Sequence, residues 1–300
     1  RIYRFCTLWN LKKRICKMIV TISNAQLSAT INTIGAELIS LVKNNKNYIW
    51  QVDETFWNKT SPVLFPIVGR LKDDSYNYDG KSYQLPRHGF ARNMEFSFDK
   101  RSEHQVIFEL NETEETKQNY PFDFKLLMAY TLMDNELVIE YFVRNQSDEV
   151  LPFSIGAHPA FAIKGNFEDY SLQFNKEDIF ETNHLENESF NEKTTLVETE
   201  NNAISLNYVL FEKDALVFKH LHSNEVVLKH QNQNVLKVNY DNFPYLGIWT
   251  KENAPFLCIE PWCGLADVVT HNGNLEDKEG INHLPAGEDF LRAIRIEILE

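Results

Sequence analysis

Alternation of apolar and polar residues at period two constrains the fold of this chain more than any other feature. It is visible in residues 19–23, 27–33 and 37–42, and it returns in short runs as far as residues 294–299. A period of two is typical of β-strands with one buried face. About twenty such runs, with hardly any helical pattern, predict an all-β fold in the form of a large antiparallel β-sandwich.

Turn residues divide these runs into hairpins. Asp79-Gly80, within residues 76–83, supplies the positive backbone angles of a two-residue turn. Two further hairpins are predicted, one pairing residues 94–99 with 105–111 and one pairing 124–133 with 136–145. Alternate residues of the latter form one apolar face: Leu126, Met128, Tyr130 and Leu132.

The glutamate-rich residues 181–200 break this pattern. Charged runs of this kind are typical of solvated surface. We interpret the stretch as an excursion from the sandwich with loose structure.

Chain length and the start of the alternation determine the predicted domain. A chain of 300 residues fits one large all-β domain, which we place at residues 18–300 because the alternation begins at Met18. Residues 1–17 are basic and aromatic and lack the long apolar centre of a signal peptide. We interpret them as a non-native or disordered extension, with a genuine amphipathic arm as the alternative.

Composition argues against several classes of partner. The chain has 43 acidic and 30 basic residues, a formal net charge of −13, which opposes binding to nucleic acid or anionic lipid. No apolar run approaches the roughly 18 residues of a membrane-spanning helix. Cys258 and Cys263 are spaced neither as a redox pair nor as half of a zinc site. A cytoplasmic location is therefore predicted.

Two residues that precede proline are the strongest candidates for chemistry. His158 lies in the segment SIGAHPAF (154–161) and Glu260 in CIEPW (258–262). Proline holds the residue before it in extended backbone, so both side chains have a largely fixed direction. Apolar neighbours would bury Glu260 and raise its affinity for a proton. The two fit an acid and base pair, or a buried pair with a structural role.

Several short motifs resemble those of a known family in their order. They are GR at 69–70, HGFAR at 88–92, GAHPAF at 156–161, residues 210–218, and CIEPW at 258–262. From about Met18 to the C-terminus the chain resembles the galactose mutarotase-like aldose 1-epimerases, most closely their LacX-like bacterial branch. The resemblance implies a β-supersandwich, in agreement with the strand pattern. The HGFAR motif is more similar to the hexose-phosphate mutarotase branch, which leaves the sugar open.

Matched residue by residue, the resemblance implies that His158 is the general acid and Glu260 the general base in the interconversion of aldose anomers. It also implies that Arg70 and His88 hydrogen-bond the sugar near its ring oxygen and that Asp214 orients a hydroxyl, although Asp214 also fits a turn cap. No cofactor or metal is implied. The expected partner is a small sugar, and the protein is expected to be a monomer or a homodimer.

Three alternatives stay open at this point. The substrate is a hexose 6-phosphate if cations converge on it, and the candidates are Arg70, Lys72, Arg87 and Arg92. Alternatively, the protein binds sugar in a regulatory role without turnover. Lastly, two histidines and one carboxylate, His88, His158 and Glu260, match the composition of a metal site.

Overall fold

The computed structural model describes residues 3–5 and 17–300, where most regular structure is β-strand. Numbered along the chain, the strands are β1 Tyr3–Phe5, β2 Lys17–Ser23, β3 Ser28–Asn32, β4 Glu37–Lys43, β5 Lys46–Asn47, β6 Val63–Leu64, β7 Ser75–Tyr78, β8 Lys81–Gln84, β9 Ser97–Ser102, β10 Gln105–Asn111, β11 Phe124–Met133, β12 Glu136–Asn145, β13 Leu151–Phe153, β14 Ile155–Ala157, β15 Ala160–Ala162, β16 Tyr170–Phe174, β17 Glu181–Glu186, β18 Ser189–Leu196, β19 Ala203–Ser205, β20 Leu216–Phe218, β21 Glu225–His230, β22 Gln233–Asn239, β23 Tyr245–Trp249, β24 Phe256–Cys263, β25 Asn282–Leu284 and β26 Asp289–Ile298. The helical segments are short: α1 Glu114–Lys117 and the 3₁₀ turns Lys72–Asp74, Ala91–Asn93, Phe167–Asp169, Tyr208–Phe211 and Leu275–Asp277.

Antiparallel pairing joins these strands into three main sheets. A nine-stranded sheet has the order β19-β16-β21-β22-β26-β12-β11-β10-β9. An eight-stranded sheet has the order β18-β17-β20-β23-β24-β14-β6, with β15 also paired to β24, and a five-stranded sheet runs from β1 to β5. Buried side chains from all three sheets meet in one hydrophobic core. The predicted all-β fold, a large antiparallel β-sandwich, is confirmed.

Two of the three predicted hairpins follow the residue pattern closely, whereas in the third β9 covers Ser97–Ser102 and not the predicted residues 94–99. Strands β11 and β12 pair from Phe124 opposite Asn145 to Met133 opposite Glu136, at the predicted boundaries. The predicted apolar face of β11 is buried and its other face is partly exposed. Asp79 and Gly80 have φ angles of 46° and 70°, as the predicted two-residue turn between β7 and β8 requires.

Strand β24 departs from this alternation because all eight of its residues are buried. It is an interior strand of the eight-stranded sheet, between β23 on one side and both β14 and β15 on the other. Side chains on both faces of such a strand are removed from water. Any ionisable residue on β24 is therefore forced into a desolvated environment.

The interpretation of residues 181–200 as a loose excursion is wrong. Strands β17 and β18 form a hairpin at the edge of the eight-stranded sheet, where β17 pairs with β20. Thr182, Ser189 and Phe190 are buried, whereas residues 192–196 of β18 are exposed. Charge composition identified a surface but did not reveal the strands beneath it.

Two further expectations concern the N-terminal extension and membrane-spanning segments. Of the extension predicted at residues 1–17, residues 1–2 and 6–16 lie outside the described residues. In the part that the structure describes, no helix has both the length and the apolar character needed to cross a membrane.

Candidate active site

His158 and Glu260 are brought together by an interruption in the ladder between two strands and β24. On one side of the interruption Gly156 of β14 pairs with Trp262, and on the other Ala160 of β15 pairs with Cys258. The two registers are continuous, so position 158 falls opposite position 260. Two residues about a hundred positions apart in the chain thus become cross-strand neighbours.

The side chains of this pair are in contact and almost completely buried. His158 Nε2 lies 3.3 Å from Glu260 Oε2, and the two residues are 7% and 2% exposed. Trp57 stacks on the imidazole of His158, with ring centroids 4.8 Å apart, and Trp249 meets it edge-on at 5.9 Å. The indoles therefore fix the histidine ring and exclude water from one side of it.

Burial moves the proton affinities of the two groups in opposite directions. It lowers the pKa of His158 well below the usual value, and the charges of Arg92 and Arg87 add to this effect. It raises the pKa of the Glu260 carboxyl well above the usual value, an effect that the charge of Arg87 opposes and the charge of Asp214 reinforces. Both groups are thus driven towards their neutral forms, with one labile proton on Glu260 beside an imidazole that can accept it.

His88 adds a second imidazole at the same place, in a backbone that two glycines make possible. Its ring centroid lies 5.8 Å from that of His158. Its backbone N–H donates to Gly69 O, and Gly69 N–H donates to His88 Nδ1, 3.1 Å away. Gly89 has a φ of 70°, and a Cβ there would lie 2.2 Å from Phe65 O. The glycine of the HG dipeptide therefore allows the backbone conformation that places the His88 imidazole in the site.

Both ring nitrogens of His88 face hydrogen-bond donors. Burial, followed by the charge of Arg87, lowers the pKa of His88 well below the usual value, so the ring is neutral. A neutral imidazole accepts a hydrogen bond at one nitrogen only. Gly69 N–H donates to Nδ1 and Arg87 Nε–H donates to Nε2, each at 3.1 Å. The ring therefore satisfies only one of these two donors at a time.

These groups line one cleft with a cavity volume of about 240 Å³. Ligand pockets commonly measure roughly 300–1,000 Å³, so this one has the scale of a single small ring. All five predicted site residues lie in its wall: Arg70, His88, His158, Asp214 and Glu260. Asp214 also accepts the N–H of Ala215, so its carboxylate caps a turn while it lines the cleft.

Sequence reasoning missed several residues of the same wall. Trp57 and Trp249 were not singled out, although aromatic side chains near a candidate acid are a usable signal for a sugar site. Glu188 was hidden among the glutamates of residues 181–200. Asn187, a residue that favours turns, was the one local signal that the hairpin tip lies there.

The mouth of the cleft holds a compact cluster of charges. Arg70 donates to both oxygens of Asp74 at 2.7 and 2.6 Å and to Glu188 at 2.9 Å. Arg87 also donates to Glu188. The two guanidinium groups and the two carboxylates cancel in formal charge.

The residues that could hold a metal ion differ from those expected. Potential ligand atoms of His158, Cys258 and Glu260 all lie within 4.8 Å of one another, whereas His88 Nδ1 is engaged by Gly69 N–H. Burial raises the pKa of the Cys258 thiol well above its usual value. Since a metal binds the thiolate, this environment disfavours the third ligand.

Known proteins resemble this chain over most of its length. The family model for aldose 1-epimerase matches residues 18–279. The chromosomal protein LacX of Lactococcus lactis subsp. lactis is 33% identical, covering 94% of this chain and 100% of that protein.

Solved structures agree with the sequence matches. A galactose mutarotase related enzyme from Lactobacillus acidophilus superposes with a TM-score of 0.89 at 35% identity, covering 94% of this chain and 98% of that one. A galactose mutarotase-like protein from Lactobacillus casei also gives 0.89, at 30% identity, with coverage of 93% and 99%.

Proposed function

The chain belongs to the aldose 1-epimerase family, and we propose that it interconverts the α and β anomers of a free hexose by acid/base ring opening and reclosure. The observation that carries the proposal is the buried contact between His158 Nε2 and Glu260 Oε2 at 3.3 Å. Trp57 and Trp249, beside that pair, offer apolar faces of the kind that pack against a sugar ring.

The proposed reaction needs one proton donor and one proton acceptor. Glu260 takes the proton of the C1 hydroxyl, and protonated His158 gives its proton to the ring oxygen. The bond between C1 and the ring oxygen breaks as C1 becomes an aldehyde. Rotation about the C1–C2 bond and the reverse proton transfers then close the ring to the other anomer.

The proton count of the resting pair matches this scheme. Neutral His158 with protonated Glu260 holds one labile proton, as does protonated His158 with ionised Glu260. A single transfer across the 3.3 Å contact therefore converts the resting pair into the reactive one. Hydrogen bonds from sugar hydroxyls to the ionised carboxylate favour that transfer once substrate is bound.

The remaining predicted site residues have supporting roles in this proposal. His88 and Arg70, which both line the cleft, hydrogen-bond the sugar near its ring oxygen. Asp214 accepts from a hydroxyl. No step requires a metal or cofactor, so we expect activity to be unaffected by a chelator.

A polarimetric mutarotation assay with Glu260→Gln and His158→Asn tests the proposal. Each positioned proton transfer contributes roughly 10² to 10⁴-fold, so each variant is expected to lose at least about a hundredfold in kcat while it remains folded by circular dichroism. Near-normal rates in both variants would refute the assigned roles. Saturable sugar binding without catalysed mutarotation in the wild type would favour a regulatory sugar-binding protein.

A phosphorylated hexose is the second candidate substrate, favoured by one observation. Arg70, Arg87 and Arg92 all line the cleft, and convergent cations are what a phosphate needs. Rates on galactose, glucose and glucose 6-phosphate in the same assay separate the two substrates.

A further inference from the structure

The tip of the β17–β18 hairpin brings one carboxylate to the mouth of the cleft. Asn187 and Glu188 have φ angles of 50° and 65°, the backbone of a tight two-residue turn. The side chain of Glu188 is 30% exposed, and it reaches Arg70 and Arg87. The hairpin thus presents a negative charge to two of the three arginines of the cleft.

Arg70 and Arg87 both direct hydrogen bonds to carboxylates at the mouth of the cleft. Arg70 donates from Nε and Nη2 to Asp74 and from Nη1 to Glu188. Arg87 donates from Nη1 to the other carboxylate oxygen of Glu188. Glu188 thereby bridges the two guanidinium groups in the way that a phosphate group would bridge them.

We propose that Glu188 is a specificity-determining residue that selects neutral hexoses and excludes phosphorylated ones. This inference rests on the proposed function, since it names the substrate class of the same site. A phosphate entering the mouth of the cleft must displace Glu188 from both arginines or accept its repulsion. A neutral sugar meets a cluster whose formal charges cancel, so it neither has to displace Glu188 nor is repelled by it.

The substitution Glu188→Gln removes one negative charge from the cluster. The remaining charged groups, Arg70, Arg87 and Asp74, then carry a net charge of one positive unit. Inorganic phosphate and glucose 6-phosphate are titrated into the protein by isothermal titration calorimetry at low ionic strength. Both are expected to bind at least about tenfold more tightly to the variant than to the wild type, because a dianion gains from each unit charge removed.

Two further variants make the measurement specific. Glu188→Asn also removes the charge, and it suits a residue with positive φ, so it covers the case in which glutamine disturbs the turn. Glu186→Gln removes the same charge from an exposed position two residues away on the same hairpin. Its phosphate affinity is expected to stay at the wild-type value.

The inference is overturned if Glu188→Gln and Glu188→Asn bind both phosphate probes no more tightly than the wild type does. It is also overturned if Glu186→Gln gains as much affinity as they do, since the effect is then one of total charge. Because the binding measurement needs no turnover, an absence of mutarotation refutes the proposed function but does not affect the test of Glu188. Normal mutarotation with unchanged phosphate affinity in the variants refutes only the proposed role of Glu188.

Discussion

Replacing Glu260 with glutamine is expected to stabilise the folded chain at neutral and alkaline pH, in addition to its effect on activity. Burial raises the pKa of the Glu260 carboxyl well above its usual value of 4.5, so the folded chain binds this proton more tightly than the unfolded chain does. The stability that the proton contributes is fully present below pH 4.5 and is lost as pH rises through the folded pKa.

The size of the effect follows from the pKa difference. Each unit corresponds to about 1.4 kcal/mol of free energy of unfolding. Glutamine resembles the protonated acid in shape, can both donate and accept hydrogen bonds, and does not ionise. The variant therefore keeps the stability that the wild type loses, and its advantage grows from near zero at pH 4.5 to at least about 1.4 kcal/mol at pH 8.

Urea denaturation between pH 4.5 and 8.5, with wild type and variant in parallel, measures this difference. The depressed pKa of His158 lowers the stability of both proteins as pH falls through its unfolded value, so it cancels to first order in the comparison. Glu252→Gln, at an exposed carboxylate, is the control and is expected to differ from wild type by less than about 0.5 kcal/mol at every pH. If Glu260→Gln has the same pH slope as wild type, or is less stable at pH 8, the burial argument fails.

Two further predictions concern residues that hold the cleft in place. A Cβ at Gly247 would lie 2.6 Å from the six-membered ring of Trp262, which lines the cleft. Gly247→Ala is therefore expected to lower the free energy of unfolding by about 1–3 kcal/mol and to lower kcat/KM by displacing that ring. An unchanged Tm would contradict this prediction. The side chains of Lys278 and Asp267 are 0% and 1% exposed and lie 2.8 Å apart. Asp267→Ala leaves a buried charge without its partner, so urea denaturation is expected to show a free energy of unfolding lower by about 3–5 kcal/mol. A decrease below about 1 kcal/mol would show that Lys278 reaches water.

Local patterns predicted the strands well because each strand is specified by its own residues. The alternating face of residues 124–133 and the turn at Asp79-Gly80 depend on neighbours two or fewer positions away. His158 and Glu260 were identifiable for the same reason, since the proline that follows each of them is a local constraint.

Features that depend on pairing between distant segments could not be predicted in this way. Nothing in residues 181–200 shows that β17 pairs with β20 or that Phe190 bridges to Val268. These long-range pairings bring the hairpin tip to Arg70. Nothing in the sequence distinguishes one glutamate of a glutamate-rich run from its neighbours, so Glu188 could not be identified as a site residue. Trp57 lies in a loop, where no periodicity marks which way a side chain points.

The prolines beside His158 and Glu260 do more than set the direction of two side chains. Along β24 the backbone N–H groups alternate sides. Because Ile259 N–H donates to Pro159 O, position 261 faces the same side of β24, opposite Ala157 at the end of β14 in the register that pairs Gly156 with Trp262.

Pro261 has no N–H to leave unpaired, and Pro159 has none on the opposite side. The sheet can therefore open at this one point without burying an unsatisfied backbone donor at either proline. The opening is where the imidazole and the carboxyl group approach within 3.3 Å. The two prolines thus lie where β24 passes from one partner strand to the other, beside the acid and base that face each other there.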